Sequence, residues 1–361
     1  MSSDKNSAYS PLKIFHHREA LDAMAAREYT PPIHVQLVLS DLCNQDCGFC
    51  AYRMSGYTSN ELFGRPDKNG RTNPNRMIEY GKAVEIIADC HRLGTKAIQF
   101  TGGGEPTVHP NHEMLFQECM DRDMDLALVT NGVKLHGSLL RTLMGAAWIR
   151  VSIDAGTAET YGSIRRVNPS VFNKVWENVS NLVSMRDNGL IIGIGFVVTK
   201  ENWQEVLLCT QKAKEAGVDN IRISAIFQSE GIDYFDGWLH EAADLCHKAS
   251  EESTPEFRVF NNFSSRVDDL LQESPDYEFC GLQNVQTYIG GDLNLYRCCV
   301  TSYNPRGLIG SLKNQTFYEL WHSKELNKGF DARGCPRCMY NDKNRTILYA
   351  INSEAMHRNF V

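Results

Sequence analysis

Residues 35–50 read VQLVLSDLCNQDCGFC, an apolar run followed directly by three cysteines. The apolar run has the length and the branched aliphatic content of a buried strand. Cys43, Cys47 and Cys50 follow it with C-x3-C-x2-C spacing, and three thiolates on one loop are able to hold three irons of a cubane 4Fe–4S cluster. The next cysteine, Cys90, is far along the chain, so the fourth iron stays open to an exogenous ligand. A structural zinc site usually has four protein ligands, which makes zinc the weaker interpretation.

Beyond this loop, short runs with the composition of strands alternate with helical stretches. The strands are predicted at residues 35–39, 97–101, 126–130, 149–153, 191–198 and 221–224. The helices are predicted at residues 78–93, 113–122, 138–145, 171–186 and 203–216. Strands that alternate with helices in this way predict parallel βαβ units joined by right-handed crossovers, in a sheet or a partial barrel.

The connection across residues 53–76 is the exception to the short loops of this series, and it is rich in Gly, Asn, Ser and Pro. A loop of this length is usually functional or mobile. Aromatic and arginine residues in it and just before it are candidates to cover an anionic or planar substrate: Tyr52, Arg53, Tyr57, Arg65 and Arg71. An ordinary solvated loop is the alternative interpretation.

The composition narrows the class of protein. The 361 residues carry a formal net charge of -7, so a basic surface for nucleic acid over the whole chain is not expected. The N-terminal residues lack an apolar signal segment, and no long apolar stretch predicts a membrane helix. We therefore expect a cytoplasmic protein whose twelve cysteines stay reduced and either bind metals or pack in the core. Four of them lie in apolar helical patterns and are predicted to be buried thiols: Cys90, Cys119, Cys209 and Cys246.

The cysteine loop and three later motifs together resemble the radical S-adenosylmethionine (SAM) superfamily. The signature of that superfamily is the same spacing with an aromatic residue, here Phe49, before the last cysteine. The later motifs are FTGGGEP at residues 100–106, TNG at residues 130–132 and VSIDAG at residues 151–156. The resemblance implies an α/β fold, a partial (β/α)6 TIM-like barrel, with ligands at the C-terminal ends of its strands.

The resemblance also implies roles for residues at these strand ends. Backbone groups of the glycine-rich motif and Glu105 would receive the amino group of SAM. Ser152 would contact the ribose or the carboxylate, and Arg165 or Arg166 would pair with the carboxylate unless both lie on a solvated helix face. The predicted cofactor-binding residues are Phe49, Gly103, Gly104, Glu105, Asn131, Ser152, Arg165 and Val198. The candidates for substrate contact or catalysis are Asp154 and Asn131, with a structural cap as the alternative for Asp154.

A second group of cysteines lies in the last part of the chain. The stretch LIGSLKNQTFYELWHSKEL, residues 308–326, precedes a C-x2-C pair and resembles the C-terminal extension of the SPASM and twitch subfamilies. This resemblance implies one auxiliary 4Fe–4S cluster held by Cys280, Cys298, Cys335 and Cys338. A ligand at Cys299 in place of Cys298, a four-cysteine zinc site and free buried thiols are the alternatives.

The βα alternation stops after about residue 235, which suggests a division of the chain. We expect an N-terminal segment at residues 1–32 and a radical SAM core at residues 33–235. A helical link at residues 236–274 would lead to a small cysteine-rich auxiliary-cluster domain at residues 275–361.

The resemblance implies an oxidoreductase or modifying enzyme. SAM would be cleaved reductively to a 5′-deoxyadenosyl radical that abstracts hydrogen from a small molecule or a peptide. An auxiliary cluster would aid oxidation or crosslinking, and flavodoxin or ferredoxin would supply electrons. Two alternatives stay open: a radical SAM enzyme acting on nucleotides or nucleic acid, and an iron–sulfur or zinc protein without SAM chemistry.

Overall fold

The computed structural model describes residues 8–28, 30–53, 76–186, 189–323 and 329–352. Its strands are β1 (His34–Leu37), β2 (Ala97–Phe100), β3 (Asp125–Thr130), β4 (Trp148–Ser152), β5 (Ile191–Val198), β6 (Asn220–Ala225), β7 (Arg258–Asn261), β8 (Gln286–Ile289), β9 (Asn294–Tyr296) and β10 (Leu308–Ser311). Over the described residues they form one sheet with the order β10-β9-β8-β1-β2-β3-β4-β5-β6-β7. The predicted loop residues 54–75 lie outside the described residues.

Helices follow most of the parallel strands. They are α1 (Arg18–Ala25), α2 (Tyr80–Leu93), α3 (His112–Met120), α4 (Ser138–Thr142), α5 (Ala158–Arg165), α6 (Ser170–Met185), α7 (Val206–Glu215), α8 (Leu239–Ser250), α9 (Phe263–Leu271), α10 (Leu282–Val285), α11 (Phe317–Trp321) and α12 (Asn341–Ile351). Short 3₁₀ segments extend some of them, such as Leu143–Gly145 after α4 and Trp203–Glu205 before α7. No described helix is both long and apolar enough to cross a membrane.

The predicted α/β fold is confirmed. Strands β1 to β7 pair in parallel, and they form the partial barrel that the sequence indicated. All six predicted strands are present, with ends within two residues of the prediction. Two elements were missed. Strand β7 is short and only half-buried, so it has no apolar run, and α5 is a short helix whose start is marked only by the Thr157 cap.

The parallel strands have an apolar face and a polar face. Side chains alternate along a strand, and the register aligns like positions across the sheet. The face that packs against the helices is buried and aliphatic or aromatic: Val35, Leu37, Ile98, Phe100, Leu126, Leu128, Ile149, Val151, Ile192, Ile194, Phe196, Ile221 and Ile223. The inner face carries Gln36, Gln99, Arg150, Ser152, Gly195 and Arg222. A polar inner face is what a barrel needs to hold polar ligands.

The C-terminal part of the chain joins the same sheet at its other edge. Strand β8 pairs in parallel with β1, and β9 and β10 continue as an antiparallel pair. Helix α12 packs against α1, where Met24 and Ile347 share a small apolar cluster with Leu282. The predicted helical link also contains β7, which extends the parallel sheet. The division of the chain into segments stays a prediction.

Candidate metal centres

The three cysteines of the first group lie in the loop that follows β1, and all are partly exposed. Each sulfur accepts a hydrogen bond from an N–H group. The donors are Gln45 N to Cys43 Sγ (3.4 Å), Arg165 Nη1 to Cys47 Sγ (3.7 Å) and Arg53 Nη1 to Cys50 Sγ (3.3 Å). Two of the donors are guanidinium groups, which stabilise thiolates more strongly than neutral donors do.

Burial keeps these thiols protonated when no metal is bound. Burial raises the pKa of Cys43 to about 12, and the Glu105 carboxylate adds to this effect. Burial also raises the pKa of the Cys47 thiol. A metal deprotonates a thiol that coordinates it. The donor set of three sulfurs with N–H partners therefore fits a metal cluster that brings its own positive charge.

The glycine-rich motif packs directly on the cysteine loop. Gly104 N donates to Ser40 O (3.0 Å), and Glu105 N donates to Leu42 O (3.0 Å). A Cβ added at Gly104 would lie 2.2 Å from Leu42 O, which is too close for any other residue. Gly103 is buried beside it. The glycines thus allow the glycine-rich motif and the cysteine loop to approach each other closely. Sequence analysis had predicted a close approach to a ligand instead.

Glu105 ties two strand ends together. It is 3% exposed, and its Oε1 accepts from the amide (3.1 Å) and hydroxyl (2.7 Å) of Thr107 and from the Thr130 hydroxyl (2.7 Å). Among the described residues, its Oε2 accepts one hydrogen bond, from Asn131 N (2.8 Å). A carboxylate oxygen accepts two or more hydrogen bonds, as Oε1 does here. Oε2 therefore keeps the capacity for one further donor, such as an ammonium group.

Asn131 lies next to the first cysteine. Its Nδ2 donates to Asn44 Oδ1 (2.6 Å) and approaches Cys43 Sγ (3.9 Å), while its Oδ1 accepts from Val133 N (3.1 Å). The end of β3 is thereby attached to the cysteine loop. The structure brings Asn131 and Glu105 together with Cys43, as the sequence predicted.

Arg165 is buried at the end of α5, and Arg166 is exposed. All five N–H groups of Arg165 have acceptors within the protein. They are Ile153 O (3.3 Å), Gln45 Oε1 (2.8 Å), Cys47 Sγ (3.7 Å), Ser152 O (2.8 Å) and the Asp154 carboxylate. Its guanidinium carbon also lies 5.8 Å from the Phe49 ring centroid. The predicted pairing with a cofactor carboxylate would require one of these bonds to break.

The structural alternative for Asp154 fits the geometry. One oxygen of this buried carboxylate pairs with Arg165, and the other accepts from Val197 N (2.6 Å). Its backbone has a positive φ of 59°, and its carbonyl accepts from Asn202 Nδ2 (2.8 Å). Asp154 is thus a positioning residue that joins the ends of β4, β5 and α5. It is corrected from a candidate catalytic residue.

Two further predicted residues lie on opposite faces of the sheet. Ser152 is on the inner face at the end of β4 and is partly exposed. Val198 is fully buried in the core that packs against the helices, so its side chain does not reach the inner face. The side chain of Val197 does reach the inner face, because side chains alternate along β5. A role of Val198 in cofactor binding stays a prediction, and it would involve the backbone of Val198 instead of its side chain.

The second group of cysteines surrounds one pocket. The pocket is partly open to solvent, and four cysteines are among the residues that line it: Cys280, Cys298, Cys335 and Cys338. Burial raises the pKa of Cys280 to about 12, and the neighbouring Cys298 contributes to this shift. Burial also raises the pKa of Cys335, while the guanidinium groups of Arg306 and Arg297 act to lower it. The pocket is suited to a group that binds several thiolates.

Cys299 is separated from this pocket. Its Sγ lies 2.9 Å from the hydroxyl of Tyr340, and it contacts a tyrosine cluster instead of lining the pocket. Sequence analysis left open which of the adjacent cysteines faces the metal. The geometry favours Cys298. The four cysteines predicted as buried thiols are confirmed as such, since Cys90, Cys119, Cys209 and Cys246 are inaccessible.

No three His, Cys, Asp or Glu side chains converge to hold a single metal ion in the part of the chain that the structure describes. The choice between a cubane cluster and a zinc ion at the second group of cysteines therefore stays a prediction.

A tyrosine cluster that sequence analysis missed lies between the two sites. It consists of Tyr52, Tyr288, Tyr296 and Tyr303. The Tyr288 hydroxyl lies within hydrogen-bonding distance of the Tyr52 hydroxyl (3.0 Å) and of Gly102 O (3.3 Å), which belongs to the glycine-rich motif. These residues are scattered over the sequence, so only the pairing of β8 with β1 brings them together.

Comparison with known proteins places the site in a family. Residues 37–213 match the family described as the Radical SAM superfamily. The chain is 29% identical over 155 residues to the tungsten-containing aldehyde ferredoxin oxidoreductase cofactor-modifying protein of Pyrococcus furiosus, covering 41% of this chain and 43% of that protein. It is 22% identical over 203 residues to the antilisterial bacteriocin subtilosin biosynthesis protein AlbA of Bacillus subtilis, covering 55% of this chain and 41% of AlbA. Each match thus spans less than half of the relative's length.

A longer match extends through the second cysteine group. Mycofactocin maturase MftC of Mycobacterium tuberculosis is 22% identical over 332 residues, covering 87% of this chain and 77% of MftC. The structure of Streptococcus suis SuiB bound to precursor peptide SuiA has a TM-score of 0.61 at 14% identity, covering 87% of this chain and 70% of SuiB. That of anSMEcpe with bound AdoMet has a TM-score of 0.58 at 13% identity, covering 88% and 96%. At these identities the two structures show the fold alone. These relatives are of the SPASM/twitch type, and the chain belongs to the radical SAM superfamily.

Proposed function

We propose that this protein is a radical SAM enzyme that removes a hydrogen atom from a peptide or a small molecule. When bound, a reduced 4Fe–4S cluster supplies the electron that cleaves SAM to methionine and a 5′-deoxyadenosyl radical, which takes the hydrogen. The observation that carries the proposal is the loop of Cys43, Cys47 and Cys50, whose three sulfurs each accept an N–H donor at the C-terminal end of β1.

The chain's own residues would position the cofactors. Arg53 and Arg165 direct guanidinium N–H groups at two of the sulfurs and offset their negative charge. Glu105 Oε2, which has one hydrogen bond, is placed to accept from the ammonium group of SAM. Ser152 and Val197 line the inner face of the barrel, where the nucleoside would lie. The surrounding barrel would exclude water from the radical.

The second site supports an auxiliary 4Fe–4S cluster on Cys280, Cys298, Cys335 and Cys338. Support comes from the pocket that all four line and from the guanidinium groups of Arg306 and Arg297 beside Cys335. An auxiliary cluster suits the removal of one electron from a substrate radical, which favours oxidation or crosslinking. An electron donor such as flavodoxin or ferredoxin is proposed to reduce the cluster on Cys43, Cys47 and Cys50. We also keep the division into a core at residues 33–235 and an auxiliary-cluster domain at residues 275–361.

A peptide is the favoured substrate. AlbA is named for the biosynthesis of a bacteriocin, and SuiB has been solved with a precursor peptide. A small molecule is the second candidate, because probable GTP 3′,8-cyclases are also among the relatives; that of Pyrococcus abyssi is 26% identical over 129 residues.

The direct test is anaerobic reconstitution of the full chain, followed by reduction with dithionite in the presence of SAM. We expect about eight irons per chain for two cubane clusters, together with release of 5′-deoxyadenosine. Cys47→Ala should abolish the release, whereas Cys246→Ala, in the core of α8, should not. Reconstituted protein that contains iron but releases no 5′-deoxyadenosine would contradict the proposal.

A further inference from the structure

The inner face of the barrel carries two arginines on either side of β5. Arg150 on β4 pairs in register with Gly193, and Arg222 on β6 pairs with Gly195. A Cβ at Gly195 would lie 3.5 Å from Arg150 Cδ, so the Arg150 side chain crosses β5 toward Arg222.

A third cation reaches the same region from the C-terminal part of the chain. Lys343 is on α12, and its ammonium group lies 5.3 Å from the Tyr340 ring centroid. Burial lowers the pKa of Lys343, the Asp342 carboxylate acts against this effect, and the positive charge of Arg222 adds to it. The cations therefore come from two strands of the barrel and from the helix that packs beside them.

Asp342 adjoins Lys343 and offsets its charge in part, whereas Arg222 has no carboxylate partner among the described residues. Asp125 is the only acidic residue at the inner positions of the described parallel strands, and it is exposed at the start of β3. Asp154, the carboxylate that Arg150 influences, is already paired with Arg165. Arg266 pairs with Asp269 (2.7 Å), so that carboxylate is also occupied. The described residues make no hydrogen bond to the Arg222 side chain, whose other contact is the Tyr9 ring at 5.3 Å.

The uncompensated charge is energetically unfavourable. Burial, together with the positive charge of Arg150, lowers the pKa of Arg222 to about 10. Arg222 Nε is buried without a hydrogen-bond acceptor. The Arg222 side chain is partly exposed, so its guanidinium group combines a buried Nε that lacks an acceptor with N–H groups that an incoming anion is able to reach.

Two glutamines on the inner face also have unused hydrogen-bonding groups. Gln36 is 7% exposed and its Oε1 has no donor, while Gln286 is 6% exposed and its Nε2 has no acceptor. They lie on the adjacent strands β1 and β8. Buried polar atoms of this kind are rare unless a ligand or water satisfies them. Several unsatisfied groups on one face indicate a binding site.

We propose that this inner face binds an oxyanionic group of the substrate, a carboxylate or a phosphate, through Arg222, with Arg150 and Lys343 adding charge. The inference rests on the proposed function and narrows its substrate class to molecules with such a group. A guanidinium fork matches the planar, bidentate geometry of both oxyanions. Binding would neutralise the three cations and supply Arg222 with acceptors.

The test measures anion binding by the reconstituted full chain at constant ionic strength, with inorganic phosphate and glutarate as probes in titration calorimetry. We expect both to bind wild type, and Arg222→Gln to weaken binding roughly tenfold or more, the loss of a charge-assisted hydrogen-bond pair. Arg150→Gln and Arg222→Lys should weaken it less. Arg141→Gln, an exposed arginine on α4, is the matched control and should bind as wild type does.

Two results would overturn the inference. One is equal probe binding by wild type and the folded Arg222→Gln variant or, should that variant not fold, by Arg150→Gln. The other is displacement of the probes from wild type by saturating SAM, since the anion would then be the carboxylate of the cofactor. Release of 5′-deoxyadenosine by wild type is measured separately, so a failure of the proposed function is distinguished from a failure of anion binding.

Discussion

The hydroxyl of Tyr303 donates a hydrogen bond to the carboxylate of Asp41, two residues before Cys43. Arg76 Nε donates to the other oxygen of the same carboxylate (2.7 Å). Tyr303 lies just beyond Cys298 in the chain, so this bond connects the two cysteine sites. The backbone N–H of Asp41 also donates to Arg76 O (2.8 Å), and this bond holds the base of the cysteine loop.

Removing the Tyr303 hydroxyl should destabilise the protein. Tyr303→Phe leaves a buried carboxylate short of one donor, and we expect a loss of about 1–3 kcal/mol in the free energy of unfolding. The measurement is denaturant unfolding of the reconstituted protein. Tyr349→Phe, at a site 72% exposed, is the control and should change stability by less than about 0.5 kcal/mol. Equal stability of the two variants would show that the Asp41 bond contributes nothing.

The two adjacent cysteines should differ in their effect on iron content. Cys298→Ser removes a thiol that lines the second pocket, so iron should fall by about half, the share of one cubane among two. Cys299→Ser alters a thiol that faces Tyr340 and should leave the iron content unchanged. Iron analysis and the absorbance of the reconstituted protein measure both. The opposite result would make Cys299 the ligand.

The buried ion pair should be far more costly to break than its exposed neighbour. The Arg165 and Asp154 side chains are 5% and 2% exposed, and Arg165→Gln leaves an unpaired buried carboxylate at a cost of about 3–5 kcal/mol. Arg166→Gln breaks an exposed pair with Asp46 and should cost about 0–1 kcal/mol. Thermal unfolding compares the two. The double variant that combines Arg165→Gln with Asp154→Asn should lose less free energy of unfolding than the two single variants lose in sum, because the two groups are coupled.

A methyl group at Gly104 should separate the glycine-rich motif from the cysteine loop. Gly104→Ala places a Cβ 2.2 Å from Leu42 O, so the backbone must shift, at a cost of about 1–3 kcal/mol. Iron binding at the first site should weaken with it. Gly81→Ala in α2, where a Cβ meets nothing within 4 Å, should instead be neutral or stabilise by up to about 1 kcal/mol. Unchanged iron content in Gly104→Ala would show that the loop tolerates the shift.

The sequence alone predicted the first six parallel strands, the helices between them except α5, the three cysteines after β1 and the group of cysteines near the C-terminal end of the sequence. These features are local: periodicity and spacing are properties of neighbouring residues. Tertiary structure alone decided which of Cys298 and Cys299 faces the pocket, that Arg165 is saturated by internal acceptors, and that the side chain of Val197 instead of that of Val198 reaches the inner face. It also brought Tyr303 to Asp41 and Arg150 toward Arg222. Such contacts depend on strand register and on the pairing of β8 with β1, which join residues far apart in the chain and leave no periodic trace in it.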